Sequence, residues 1–117
     1  MQTLDEENLN DRNQDVYRDF RRLVFKNFRD IKKVSDYAIE LGISVKQLSE
    51  ICNKRSGKSP LSIIYKQFIL EAKRLLNNNL SAKEVAYNLK FEDPAHFSKF
   101  FKKLTDQSPS QFQKIQA

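Results

Sequence analysis

The chain has one cysteine, one histidine, no tryptophan, two glycines and three prolines. A single cysteine cannot close an internal disulfide, and one Cys with one His falls short of the usual four-ligand zinc set. Carboxylates alone could hold magnesium, but they are dispersed and form no clustered motif. So little glycine and proline argues against a turn-rich all-β fold and against a glycine-rich phosphate cradle. No run approaches the roughly 20 apolar residues that span a bilayer. Met1 to Asn13 lacks the basic start and apolar stretch of a secretory signal. The expectation is a cytoplasmic protein with no membrane partner. His96 and Cys52 sit in separate predicted helices with no nearby base or orienting group, so neither an enzyme nor a cofactor site is expected.

What is present is apolar and basic. The apolar fraction is 39 %, with nine Phe and four Tyr, in 117 residues. That supports one ordinary domain burying about two thirds of its unfolded surface. Charge is unevenly divided. Residues 1–16 carry Asp5, Glu6, Glu7, Asp11 and Asp15 against Arg12, a net of −4, whereas residues 17–117 carry a net of +10. A basic body favours encounters with polyanions, chiefly nucleic acid, without implying sequence recognition.

Apolar spacing predicts an all-α chain. Residues 1–15 hold two Leu among polar groups and read as an acidic flexible tail or interdomain linker, leaving residues 16–117 as the folded domain. Val16, Phe20, Leu23, Val24 and Phe28 recur at helical spacing, with Arg18, Arg21, Arg22 and Lys26 on wetter sides. Val34, Tyr37, Ala38 and Leu41 mark a second helix that Gly42 can end. Ser44, with Gln47 three residues on, opens a third, whose inner stripe is Leu48, Ile51 and Cys52. Residues 34–56 thus read as a helix-turn-helix, a pattern that ordinary helical hairpins share.

Ser59-Pro60 starts a long helix over 60–76, apolar around much of its circumference through Ile64, Phe68, Ala72, Leu75 and Leu76, with Leu61, Tyr65 and Ile69 in support. A second helix-turn-helix is expected over 81–104. Ser81 and Glu84 form a capping box, Asp93-Pro94 starts the next helix, and Phe97, Phe100, Phe101 and Leu104 are expected to bury it. Ser108-Pro109 opens a short last helix expected to close over the core with Phe112 and Ile115. Cys52 reads as a buried thiol, and the phenylalanines as core in preference to base-stacking groups.

The two halves repeat each other. At an offset of 48, Ala38, Leu41 and Ile43 match Ala86, Leu89 and Phe91. At an offset of 49, Leu48, Ser49, Lys54 and Ser59-Pro60 match Phe97, Ser98, Lys103 and Ser108-Pro109. One residue inserted in the second turn explains the change.

These motifs, LGISVKQLSEICNKRSGKSP with ILEAKRLL in the first half and LSAKEVAYNLKFEDPAHFSKFFKKLTDQSP in the second, resemble the DNA-binding domain of the AraC/XylS family of bacterial transcription regulators over roughly Arg18 to Gln113. The resemblance implies seven helices, with the third and sixth reading successive major grooves and the fourth between them. It implies base-reading positions at Lys46, Ser49 and Glu50, then at Ala95, Ser98 and Lys99. Glu50 stands where Arg is common in the family, and Lys90 and Asp106 stand where Gly is usual. By chemistry, Lys46 and Lys99 can donate to guanine, Glu50 can accept from cytosine N4, and Ala95 can touch a thymine methyl. His96 is a further candidate DNA contact. Lys54, Arg55, Lys58, Lys83, Lys102 and Lys103 are candidates for phosphate, although a solvated face predicts the same charges.

The function so implied is sequence-specific binding of double-stranded promoter DNA in transcription regulation, by a chain that is nucleoid-associated when bound. An RNA polymerase contact and a sensor or dimerisation domain outside this chain are implied partners. The competing readings are a nonspecific nucleic-acid binder, which would share the charge, and a helical protein-interaction module.

Overall fold

The computed structural model describes the backbone of residues 3–116 and the side chains of residues 12–115. Seven helices follow one another: α1 (Thr3–Asn27), α2 (Val34–Leu41), α3 (Val45–Ser56), α4 (Pro60–Asn77), α5 (Ala82–Asn88), α6 (Pro94–Thr105) and α7 (Pro109–Gln116). Among the described residues there is no strand. The chain divides into two compact units, residues 1–65 and 66–117, and the backbone of α4 runs from the first into the second.

In the first unit α1, α2 and α3 enclose a core of Phe20, Val24, Phe28, Tyr37, Ala38, Leu48, Ile51 and Cys52. Phe20 meets Tyr37 edge to face at 5.5 Å between ring centroids. Ile64 adds the contribution of α4, while Leu61, expected in support, is exposed. The Cys52 thiol is buried, as its apolar stripe predicted, and desolvation pushes its pKa up to about 11.

The main departure from the sequence reading is the start of α1. The helix begins at Thr3, so the segment expected as a flexible tail continues the helix that was expected from Val16. Once residues 16–28 are held against the core, each added residue gains a backbone bond without a new nucleation cost. The side chains of residues 1–11 lie outside the described set.

The second unit packs the C-terminal part of α4 with α5, α6 and α7 around Phe68, Ala72, Leu76, Val85, Ala86, Leu89, Phe97, Phe101 and Phe112. The Gln113 side-chain amide donates to the carbonyls of Leu76 at 3.0 Å and Leu80 at 2.7 Å, tying α7 to the end of α4. Two expected core residues are corrected: Leu104 is 44 % exposed and Ile115 is 67 % exposed. Both have the right helical register, but each sits near the C-terminal end of its helix and keeps its side chain in solvent. Phe100 is half-buried and lies against Phe68 and Phe91, at 5.9 and 5.3 Å between ring centroids.

Candidate nucleic-acid interface

Each unit carries a helix that begins at a polar cap directly after a tight turn. In the first, α2 ends at Gly42 in the left-handed conformation, φ 69°. The Ile43 amide donates to Ala38 O at 3.0 Å and the Gly42 amide to Ile39 O at 3.0 Å. This is the paired bond pattern of a Schellman stop. In the second, the Phe91 amide donates to Ala86 O at 3.0 Å and the Lys90 amide to Tyr87 O at 3.1 Å, with Lys90 at φ 63°. The repeat seen in sequence is therefore a repeat of hydrogen bonds, with Lys90 keeping the conformation that Gly42 takes in the first unit.

The next helix is aimed by its cap. Ser44 and Gln47 form a reciprocal capping box at the start of α3, with Gln47 N–H to Ser44 Oγ at 3.1 Å and Ser44 N–H to Gln47 Oε1 at 2.9 Å. At α6 the Asp93 carboxylate accepts from the His96 amide at 2.7 Å, and Pro94 takes the first turn. Such caps typically contribute about 1 kcal/mol each. Ser81 and Glu84 cap α5 in the same reciprocal way, and the bonds from Ser81 hold the Glu84 carboxyl below its ordinary pKa.

Burial of one face leaves the predicted ridges outside. With Leu48, Ile51 and Cys52 turned inward, Lys46 and Glu50 are exposed and Ser49 is partly exposed. With Phe97 and Phe101 inward, Ala95, His96 and Lys99 are exposed and Ser98 is partly exposed. The three positions on α3 correspond one for one with the three on α6, so Glu50 in the first unit answers to Lys99 in the second. His96 also meets Phe91 edge to face at 5.4 Å, which anchors its ring to the surface of the aromatic cluster.

The cationic candidates are all exposed: Lys54 and Arg55 in the last turn of α3, Lys58 in the following loop, Lys83 in the first turn of α5, and Lys102 and Lys103 in the last turn of α6. One neighbour was missed in sequence. Arg12 of α1 joins Glu50 and Lys54 in lining a groove of about 620 Å³ beside α3. Reading residues 1–15 as a tail hid that neighbour, because only a continuous α1 carries Arg12 past α3.

Among the described residues, no group of three or more His, Cys, Asp or Glu could hold a metal ion. No helix among them is long and apolar enough to cross a membrane.

Comparison with known proteins follows the same lines. The family model described as helix-turn-helix domain matches residues 37–115. The HTH-type transcriptional regulator GlxA of Rhizobium meliloti (strain 1021) is 36 % identical over 69 residues, covering 58 % of this chain and 21 % of that protein. The chain thus spans well under half the length of that relative. The C-terminal domain of AraT, a response regulator from Geobacillus stearothermophilus, superposes with a TM-score of 0.77 at 26 % identity, covering 86 % of this chain and 84 % of that one. An AraC-type transcriptional regulator from Chromobacterium violaceum gives a TM-score of 0.78 at 20 % identity, covering 89 % and 94 %. The DNA-binding domain of AdpA, solved in complex with a target DNA, gives 0.73 at 21 % identity, covering 83 % and 88 %. The last two likenesses speak for the fold. With the family model spanning both ridges and the turn that precedes each, the chain belongs to the AraC/XylS-type helix-turn-helix transcriptional regulator domains.

Proposed function

We propose that this sequence-specific DNA-binding domain of transcription regulation reads two successive major-groove segments of double-stranded promoter DNA, one with α3 and one with α6. The observation that carries the reading is the repeated geometry: the same turn bonds and the same inward stripe leave corresponding polar positions exposed on both helices. A helix with one buried side and a short polar ridge is what a major groove admits. The AdpA domain, a relative by fold, was solved on a target DNA.

In this reading Lys46, Ser49 and Glu50 face bases in one groove, and Ala95, Ser98 and Lys99 face bases in the next. Glu50 accepts from cytosine N4, since its carboxylate opposes phosphate. His96 contacts DNA at the start of α6. Lys54, Arg55, Lys58, Lys83, Lys102 and Lys103 supply the phosphate contacts that fix register. Residues 1–15 connect the domain to a sensor or dimerisation domain of a longer regulator, and RNA polymerase is the partner at the promoter.

The test is selection of bound duplexes from a random library, followed by footprinting and a salt series on the winning site. Protection of roughly two helical turns by a monomer is expected. Protection of one major-groove segment overturns the two-groove reading, and equal affinity for scrambled DNA at fixed salt favours the nonspecific binder. Lys99→Ala should weaken the selected site by about 1–3 kcal/mol and flatten preference at one base pair. A uniform loss over all base variants, with the salt slope reduced by about one, would make Lys99 a phosphate contact.

A further inference from the structure

Three charged side chains border the groove on one flank of α3. By helix register Gln47, Glu50 and Lys54 form a row between the buried stripe of Leu48, Ile51 and Cys52 and the outward ridge of Lys46, Ser49 and Glu50, so Glu50 belongs to both row and ridge. This row is one wall of the groove of about 620 Å³, and α1 supplies the wall across from it through Arg12, Asn13 and Val16. Asn13 and Val16 are half-buried, whereas Arg12, Glu50 and Lys54 are exposed, so the charges sit at the mouth of the groove.

On α1, Arg12 stands one turn before Val16, on the flank turned to α3, while Arg22 lies on the side opposite the buried Phe20, Val24 and Phe28. Asp15, three residues after Arg12, is engaged by Arg18, Oδ1 to Nη2 at 3.1 Å. Among the residues that line the groove Glu50 is the single acid, set against Arg12 and Lys54, so the flank is basic despite the carboxylate.

A helix lying in a major groove is walled by two sugar-phosphate strands, so its outermost side chains meet base edges and its flanks meet phosphates. We propose that Arg12 is a phosphate contact of the DNA interface, holding together with Lys54 the strand that passes this flank of α3. The inference rests on the proposed entry of α3 into a groove. Alone, the Glu50 carboxylate would repel that strand. Two cations beside it reverse the local balance, so Glu50 can be turned to a base while the strand stays bound. Arginine suits the task because its planar guanidinium offers paired N–H donors to phosphate oxygens. The N-terminal half of α1 thereby joins the DNA interface, next to the first ridge and apart from both.

The test titrates the whole chain onto its selected duplex over a range of salt, as wild type, Arg12→Gln and Arg22→Gln, the last removing the same charge from the outer side of α1. Arg12→Gln should weaken binding about three- to ten-fold at moderate salt, equally for all base variants, and reduce the salt slope by about one. Arg22→Gln should change much less, because its charge acts only at a distance and is screened. Arg12→Lys should restore the slope. Neutral methylphosphonates placed singly along the duplex locate the contact: at one position the wild type should be weakened and Arg12→Gln weakened no further, and that position should flank the base pairs whose preference changes in Lys46→Ala. An Arg12→Gln variant with wild-type affinity and slope overturns the proposal. So does a loss no larger than that of Arg22→Gln, or additive losses at every phosphate. If Lys46→Ala and Glu50→Gln leave base preference unchanged while Arg12 stays coupled to one phosphate, the reading of bases by α3 fails and the Arg12 contact stands.

Discussion

Gly42 and Lys90 occupy the same turn in the two units, at φ 69° and φ 63°, each followed by an amide that reaches back five residues to an alanine carbonyl at 3.0 Å. Glycine takes this conformation freely, whereas a residue with a Cβ is strained in it by roughly 1 kcal/mol or more. A Cβ on Gly42 would meet nothing within 4 Å, so its backbone conformation alone sets the cost there. Gly42→Lys should therefore destabilise the domain by about 1 kcal/mol, and Lys90→Gly should stabilise it by about 0.5–1 kcal/mol. Chemical denaturation of both variants checks the pair; equal and unchanged midpoints would show that the turns tolerate either residue.

Tyr37 is fully buried, and its hydroxyl has no hydrogen-bond partner among the described residues. An unsatisfied buried hydroxyl costs free energy that phenylalanine would not incur. Tyr37→Phe should leave stability unchanged or raise it by about 1 kcal/mol, read as an unchanged or higher melting temperature.

Burial also pushes the Tyr37 phenol up to about 12 from an ordinary value of 10. In alkali the unfolded chain then loses the phenolic proton before the folded one, so the folded state holds more protons and stability falls as pH rises from about 10 to 12. Cys52, raised from 9.0 to about 11, acts in the same direction from about pH 9. Denaturation midpoints measured between pH 8 and 12 should fall, and Tyr37→Phe should flatten the upper part of the decline.

Phe101 is fully buried between Phe97 and Phe112, with ring centroids 5.8 and 5.7 Å away, while its neighbour Phe100 is half-buried. Phe101→Ala should cost about 3–5 kcal/mol, enough to unfold a domain of this size, and Phe100→Ala about half of that. Thermal unfolding ranks the two. A larger loss at Phe100 would mean that the aromatic cluster with Phe68 and Phe91 carries more of the second unit than the Phe97 and Phe101 stripe.

Removing the cap of α6 should reach function through stability. Asp93→Ala deletes the acceptor of the His96 amide bond and should cost about 1 kcal/mol, lowering the melting temperature by several degrees. Affinity for the selected site should fall with it if α6 enters the groove by its first turn. Unchanged affinity after restoring stability elsewhere would show that α6 needs no help from this cap to hold its position.

Much of the fold was legible because it is local. Ser44, Ser81 and Asp93 mark helix starts through bonds that span three residues, and Gly42 marks a stop through its own φ, so short stretches of sequence suffice to find α3, α5, α6 and the end of α2. The polar ridges were legible for the same reason. Once Leu48, Ile51, Cys52, Phe97 and Phe101 are known to face inward, 3.6-residue geometry leaves Lys46, Glu50, Ala95 and Lys99 outside. Lys90 shows a limit, because lysine has no preference of its own for the left-handed φ it adopts in the turn closed by the Lys90 and Phe91 amides.

Local pattern thus determined the helices, their caps, the repeat and the exposed identity of the ridges, since each depends on contacts within a turn or two of chain. Tertiary structure decided where α1 begins and where the buried stripes of α6 and α7 end. Leu104 and Ile115 have the periodicity of core residues, yet both side chains are exposed, because periodicity does not say how far along a helix the packing extends. At the other end of the chain, the polar composition of residues 1–15 forecast no helix, but α1 runs on to Thr3 because its second half is anchored on Phe20, Val24 and Phe28 and cooperative elongation carries the backbone bonds outward from that anchor.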